Sequence, residues 1–489
     1  MLQSNSTQPL NYIPRFITKR AMTSYLLALV VCNVLYMHYA LTWYWWLFGI
    51  VEVCGFFYYA NILTKQRAFW TPKTFAKRLF GTAFTIRIIY VLFSYVFYIV
   101  MTGQPFEMGT ADAWIYHLTA KGMAGAMRDG NFNIPEILDR AYGSHVSLSD
   151  TGFPTYLSIV YLLTFDSILA VRILNALWSS LTVVLVYRLA TRHFGESVGR
   201  IAGIMCLLMP NLIYYCGIHL KETEMTFLAV LFCERADYIM QRGKITIGPA
   251  CLLMLIAGSV FTFRTVLGAV LVLALFTALL LSSTRVVSWG KRILLVLIAV
   301  SFVGIILMGK SGIGDDVYQT WEEGGSKQKA SMEWRARQNG SSGRNQSFAK
   351  YAGAAVFAPM IFTIPFPTMV NVAEQYNQMM IHGGNFVKNI TSFFTIMALF
   401  IMLFSGDWRK HVLPIAIICG YLVVLVFSNF AQSERFHLPT VPFAMMFAAY
   451  TISLMNNPRY KRWYTYWCVI MFIAAVAWNW FKLAGRGMI

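Results

Sequence analysis

The feature that most constrains this chain is a series of thirteen apolar stretches, most of them about 20 residues long. A helix of about 20 residues is long enough to cross roughly 30 Å of hydrocarbon. The chain is 57% hydrophobic and only 12% charged, whereas soluble domains carry about 25% charged residues. The sequence therefore predicts an all-α polytopic membrane protein with about 13 transmembrane helices. The clearest stretches are residues 80–101, 201–219, 246–263, 265–283, 293–309 and 412–430.

The basic residues between these stretches predict an orientation. With the N-terminus in the cytoplasm, more than half of the 40 Lys and Arg residues fall in short cytoplasmic segments. The positive-inside rule favours this arrangement. It also explains the net charge of +19 without any nucleic-acid partner. We expect a multi-pass protein of a bacterial inner membrane whose other face, called exoplasmic in this subsection, is turned toward the periplasm. The basic residues of the short exoplasmic segments are Lys221, Arg264, Arg435, Lys482 and Arg486.

The polar gaps divide the chain into four regions. They are two N-terminal helices with a cytoplasmic loop in 1–79, a core in 80–309 with a first exoplasmic loop in 102–166, a long exoplasmic loop in 310–390, and C-terminal helices in 391–489. Short apolar pieces of the first loop, such as 153–165, predict helices lying in the membrane interface. The apolar half of the second loop, 351–380, contains Pro359, Pro365 and Pro367. Because this segment is too broken for a simple spanning helix, we expect re-entrant or interfacial helices there.

Ionisable residues cluster at four exoplasmic turns of this predicted topology. Such residues beside a membrane are costly unless they are paired or functional. A pocket with carboxylates for proton transfer and cations for phosphate would have this composition. Taken singly, each residue has a structural explanation: a solvated loop acid, a cation that reaches lipid headgroups, or an acid in the first turn of a helix. The residues are Asp112; Lys221, Glu222 and Glu224; Arg264; and Glu434, Arg435 and His437.

Metal binding is not expected. Asp315 and Asp316 resemble a metal-binding couple, but they lie in a Gly-rich stretch that is typical of a mobile loop. No second histidine or carboxylate cluster accompanies His117 at ligand spacing.

Four stretches together resemble the GT-C superfamily of integral membrane glycosyltransferases, in particular its protein O-mannosyltransferase-like and aminoarabinose-transferase-like branch. No single motif is specific, and the match rests on the order, spacing and common membrane side of the four. Three features depart from the family: Ala113 stands where a second acid is common, two extra helices precede the core, and residues 310–390 match no part of it. The stretches are Arg87 with Asp112-Ala-Trp-Ile-Tyr116-His117; Gly152-Phe-Pro154-Thr-Tyr156 with Arg172 and Asn175; His219-Leu-Lys221-Glu222-Thr223; and Phe263-Arg264-Thr with Glu434-Arg435-Phe-His437-Leu-Pro439.

The resemblance implies an inverting transfer of a sugar from a polyprenyl-phosphate donor at the exoplasmic face. Asp112 would act as general base, and Glu222 would orient the acceptor or hold a cation. Arg264 and Arg435 would bind the leaving phosphate, with Lys221 and His437 as helpers, while Tyr116 and His117 would line the substrate site. No cofactor and no metal are implied.

The acceptor stays open among glycans, lipids and proteins. Three other classes also remain: a polysaccharide polymerase or ligase that uses diphosphate-linked donors, a transporter of lipid-linked sugars, and a non-catalytic scaffold. A requirement for a diphosphate donor would identify the first of these.

Overall fold

The computed structural model describes residues 10–67, 69–109, 111–142, 148–242, 247–281, 358–428, 431–486 and 488–489. Within these ranges every regular element is a helix. The α-helices in chain order are α1 Arg15–Leu35, α2 Trp43–Gln66, α3 Pro72–Thr102, α4 Ala111–Arg128, α5 Ile134–Tyr142, α6 Gly152–Thr164, α7 Ile168–Phe194, α8 Glu196–Leu208, α9 Pro210–Cys216, α10 Glu222–Arg242, α11 Ile247–Phe263, α12 Thr265–Leu281, α13 Tyr376–Met380, α14 His382–Ser405, α15 Val412–Phe427, α16 Glu434–His437, α17 Val441–Ser453 and α18 Pro458–Ala484.

The described helices confirm a polytopic all-α membrane protein, but not the expected number of spans. Five of them, and α15 together with the 3-10 turn before it (Asp407–Phe427, 21 residues), are long and apolar enough to cross a membrane. The bent pair α8–α9 makes a seventh candidate. The expected count of about 13 is not confirmed because other apolar helices, such as α11 and α12, have only 17 residues. The predicted stretch at 293–309 lies outside the described residues.

The outer surface has the apolar character that a lipid environment requires. α3 is 31 residues long, and it exposes Ile89 by 62%, Val96 by 60% and Val100 by 76%. A soluble monomer rarely exposes a continuous apolar stripe of this kind. The exposed stripe therefore supports a membrane-spanning α3, with one helix end at each membrane face. The face at which α3 ends and α4 begins is called the Asp112 face from here on.

The predicted span at 201–219 is broken at Pro210. α8 and α9 meet there at an angle of 48°. Because proline has no N–H, it cannot donate to the carbonyl four residues earlier, that of Cys206. Arg87 of α3 replaces the missing donor: Nη2 donates to Cys206 O and Nη1 to Leu207 O, both at 3.3 Å. Arg87 is fully buried, so it caps the end of α8 from a neighbouring helix.

Replacing Arg87 with leucine should therefore destabilise the protein. The change leaves two buried carbonyls without a donor, and hydrogen bonds to a charged group contribute about 1.5–3 kcal/mol each. We expect a lower midpoint of thermal unfolding in detergent. Lys73→Leu is the matched control because Lys73 is a cation exposed on the same helix. An equal loss of stability in both variants would show that Arg87 does not stabilise the break between α8 and α9.

The described part of the second long loop differs from the expected interfacial helices. Residues 358–375 form only short turns of 3-10 helix, because prolines 359, 365 and 367 interrupt any longer helix. Most of this segment is buried, and side chains satisfy its carbonyls. Lys388 Nζ donates to Ile364 O at 2.6 Å, and Asn479 Nδ2 donates to Pro367 O at 3.1 Å. Irregular backbone at membrane depth requires such internal partners.

Candidate active site

Asp112 lies in the first turn of α4, in the connection that follows α3. Gly103 ends α3 in the left-handed region, with φ 75°. This conformation is one that glycine adopts without strain. The chain then returns to the bundle, and α4 begins at Ala111. The Asp112 side chain keeps 42% of its surface exposed, so it can reach both the protein and a ligand from solvent or lipid.

Arg435 joins Asp112 to Glu222. Its Nη1 lies 2.6 Å from Asp112 Oδ2, and its Nε lies 3.5 Å from Glu222 Oε1. The three side chains come from α4, α10 and α16, which are far apart in sequence. Exposure falls from 42% at Asp112 to 26% at Arg435 and 2% at Glu222. The arrangement is a cation between an accessible carboxylate and a buried one.

The electrostatics keep Arg435 charged. Burial alone would lower its pKa, but the charges of Glu222 and Asp112 and the hydrogen bond to Asp112 outweigh this effect and raise the pKa. Glu222 Oε2 is buried and has no hydrogen-bond partner in the described part of the chain. A buried acceptor left in this way calls for an explanation, and a ligand hydroxyl is one partner that fits. Glu222 therefore contacts Arg435 with one oxygen and leaves the other without a partner among the described residues.

Glu224, the other acid of this turn, points toward a different helix. With its amide oriented to donate, Asn175 of α7 reaches Glu224 Oε1 at 2.6 Å. Glu224 is only 4% exposed. Of the two acids at the start of α10, Glu222 is therefore the one that contacts Arg435.

Arg264 lies beside this cluster, against the same aromatic ring as Arg435. Its guanidinium carbon is 4.2 Å from the centre of the Phe436 ring, and that of Arg435 is 4.8 Å from the same ring. Cation–π contact allows a ring to hold two guanidinium groups near each other. Two neighbouring guanidinium groups are suited to an anion such as phosphate.

A glycine lets the first loop approach the turn that carries Arg264. A Cβ atom at Gly152 would lie 2.8 Å from the carbonyl carbon of Thr262. Any other residue would force α6 away from the end of α11. Gly152 therefore brings the Gly-Phe-Pro motif close to the site.

Lys221 and Tyr116 contact each other at the border of the site. Lys221 Nζ donates to Ser149 O at 3.0 Å and lies 5.8 Å from the Tyr116 ring. Tyr116 also packs edge-on against Phe153, with 5.1 Å between ring centres. The contacts of Lys221 connect the start of α10 to the first loop.

His117 belongs to a hydrogen-bonded chain with Tyr161 and His219. His117 Nδ1 lies 2.7 Å from Tyr161 Oη, and this oxygen lies 3.2 Å from His219 Nε2. Burial lowers the pKa of His117, with Lys121 adding to the effect, and it lowers the pKa of His219 further. Both imidazoles are therefore neutral near pH 7, and each can donate one hydrogen bond and accept another.

His437 is oriented toward its own loop. It is 1% exposed, and its Nε2 lies 2.8 Å from Ala431 O. Burial, followed by the charge of Lys388, lowers its pKa well below the ordinary value. A neutral histidine that donates to a backbone carbonyl stabilises the turn that carries Arg435.

The structure thus brings Asp112, Glu222 and Arg435 into direct contact and Arg264 next to them, while His437 lies in the supporting turn.

Sequence patterns did not identify two side chains that help to build the site. The ring of Phe436 contacts both Arg264 and Arg435. In the sequence, its position within Glu434-Arg435-Phe-His437 was the only indication of this role. Tyr161 connects two histidines of distant segments, which no local pattern indicates.

Among the described residues, no group of three His, Cys, Asp or Glu side chains is placed to hold a metal ion. Asp315 and Asp316 lie outside them.

Comparison with known proteins finds a family that part of the chain resembles. A sequence model of the dolichyl-phosphate-mannose-protein mannosyltransferase family matches residues 152–308, roughly a third of the chain. No curated protein matches. The matched residues include Tyr161, His219, Lys221, Glu222 and Arg264, while Asp112 and Arg435 lie outside them. The match confirms the resemblance to the GT-C superfamily and supports a membrane glycosyltransferase that uses a lipid-linked sugar donor.

Proposed function

We propose that the protein transfers a sugar from a polyprenyl-phosphate donor to an acceptor at the Asp112 face, with inversion at the anomeric carbon. The observation that carries this proposal is the contact of one arginine with both an accessible and a buried carboxylate, beside a second arginine. This reaction needs a general base that takes the acceptor's proton and cationic side chains that bind the leaving phosphate. The matching family supports the lipid-linked donor.

In the proposed step, the acceptor hydroxyl or amine attacks the anomeric carbon from the side opposite the phosphate. Its proton moves to Asp112, and the bond between the anomeric carbon and the phosphate oxygen breaks. The electron pair stays on that oxygen, so polyprenyl phosphate leaves with one more negative charge. Arg435 and Arg264 stabilise this charge, while Glu222 keeps Arg435 in place and accepts a hydrogen bond from the acceptor. Tyr116 and His117 line the sugar site in this scheme, and Lys221 supports it.

The positions of the residues also support a proposal about the domains and the membrane. Arg435 comes from the C-terminal region, so residues 391–489 complete a site that the core of 80–309 begins. We propose that the Asp112 face is periplasmic and that the membrane is a bacterial inner membrane. The basic residues at the opposite end of α3 support this orientation. Glycans, lipids and proteins remain acceptor classes.

The donor class is the most direct test of this function. Purified protein in lipid nanodiscs, supplied with a mixture of glycan, lipid and protein acceptors, should release polyprenyl phosphate from a mannosyl-phosphoryl polyprenol. It should leave the corresponding diphosphate-linked mannosyl donor intact. The physical reason is that the two guanidinium groups of the cluster suit the single phosphate that leaves in the proposed step. Thin-layer chromatography of labelled lipids measures both reactions. Turnover of the diphosphate donor alone would overturn the proposal in favour of a polymerase or ligase.

A further inference from the structure

A basic groove lies at the end of α3 opposite the Asp112 face. α3 is 31 residues long, which corresponds to about 46 Å, so its two ends lie at opposite membrane faces. The groove has a volume of about 710 Å³. Three cations, two threonines and a tryptophan line it: Arg67, Lys77, Arg78, Thr74, Thr82 and Trp70.

The cations of the groove lack acidic partners within the described part of the chain, and one of them has an unused donor. Arg67 is 9% exposed. Its Nη2 donates to Thr82 Oγ1 at 3.3 Å, whereas its Nη1 is buried without a hydrogen-bond partner. Burial and the nearby charge of Arg78 lower the pKa of Arg67. A buried guanidinium with an unused N–H and positive neighbours requires an anionic partner.

The wall of the groove is fixed by several contacts. The guanidinium groups of Arg67 and Arg78 lie 5.2 and 4.5 Å from the Trp70 ring centre. Arg200 donates to the carbonyls of Arg67 and Trp70 at 2.9 and 2.5 Å. Arg200 is itself paired with Glu196 at 2.7 Å. These contacts hold Arg67 and Trp70 in place at the wall of the groove, so a ligand meets side chains that are already positioned.

The position of the groove favours a lipid as the source of the anion. Arg78 lies on the same face of α3 as Ile89 and Val96, which follow it by about three and five helical turns. Ile89 and Val96 are exposed, and a Cβ at Gly81 would meet open space. The groove therefore opens at the end of the apolar stripe of α3, where a headgroup would lie if its acyl chains ran along that stripe.

We propose that this groove binds the phosphate group of an anionic lipid headgroup at the membrane face opposite Asp112. Arg67 contacts the phosphate at the base of the groove, and Lys77 and Arg78 contact it at the rim. The acyl chains lie along α3. This site is separate from the proposed transfer site, and its test does not use the transfer reaction.

The test compares two double variants of the full chain in a neutral detergent. Lys77→Gln with Arg78→Gln removes two charges from the rim of the groove. Lys65→Gln with Lys73→Gln removes two exposed charges at the same end of the protein, and neither residue lines the groove. Native mass spectrometry measures binding of phosphatidylglycerol and phosphatidylcholine. Inorganic phosphate, tested by its effect on the thermal unfolding midpoint, is the soluble probe.

The wild-type protein should bind phosphatidylglycerol saturably and in preference to phosphatidylcholine. The groove variant should bind it about 10- to 30-fold more weakly, while the control variant binds like the wild type. Protection by inorganic phosphate that depends on the groove, without preference for phosphatidylglycerol, would retain the phosphate site and overturn the lipid source. Equal lipid binding in the wild type and the groove variant, or an equal loss in both variants, would overturn the site itself.

Discussion

Asp112→Asn should abolish sugar transfer while leaving the fold and donor binding in place. The amide has the shape of the carboxylate but cannot accept the acceptor's proton. Loss of a general base lowers a rate by about 10²- to 10⁴-fold. Because the Asp112 side chain is 42% exposed, the lost ion pair contributes only about 0–1 kcal/mol to stability. Initial rates of transfer and equilibrium binding of the donor, measured on one preparation, separate the two effects.

The first loop contains a matched control for this variant. Asp129→Asn makes the same chemical change at an exposed position just after α4. We expect it to transfer sugar at the wild-type rate. Near-normal turnover by Asp112→Asn would remove Asp112 as the base, and an equal loss in Asp129→Asn would point to a general effect of charge in the loop.

Arg435→Gln should weaken donor binding and also destabilise the protein. The variant loses a guanidinium that would hold the leaving phosphate. It also leaves Glu222, whose side chain is 2% exposed, without its cationic partner. Charge-assisted hydrogen bonds contribute about 1.5–3 kcal/mol, which corresponds to roughly 10- to 150-fold in affinity. Binding of polyprenyl phosphate and the thermal unfolding midpoint are the two measurements.

A second variant separates these two effects. Arg435→Gln combined with Glu222→Gln removes the buried charge together with its partner, so stability should recover. Donor affinity should stay low because the phosphate still lacks its cation. Arg435→Lys keeps the charge but loses the planar fork, and we expect intermediate affinity. If the double variant binds the donor as tightly as the wild type, Arg435 has only a structural role.

The sequence allowed the broad architecture to be predicted because it depends on local signals. Apolar stretches of helical length predict spanning helices, and the alternation of basic gaps assigns each turn to a face. This alternation alone predicted one membrane face for four residues: Asp112, Glu222, Arg264 and Arg435. The structure shows that three of them are in contact and that the fourth shares an aromatic ring with Arg435. Their catalytic and binding roles stay predictions.

The detailed geometry could not be predicted because it depends on contacts between distant segments. Asp112 and Arg435 are 323 positions apart, and no periodicity indicates which acid an arginine will contact. The hydrogen bond from Arg87 to Cys206 O depends on the missing N–H of Pro210, and it is visible only when α3 lies beside α8. His437 resembled a substrate ligand in sequence, but its hydrogen bond to Ala431 depends on how its own loop folds.

A structure of the protein with polyprenyl phosphate bound would test the proposed site. This lipid is the product that leaves in the proposed reaction, so its phosphate should occupy the position of the leaving group. We predict that the phosphate contacts Arg435 and lies beside Asp112, with Arg264 within ion-pairing distance. A phosphate bound only elsewhere, with the contacts of Arg435 to Asp112 and Glu222 unchanged, would contradict the proposed function.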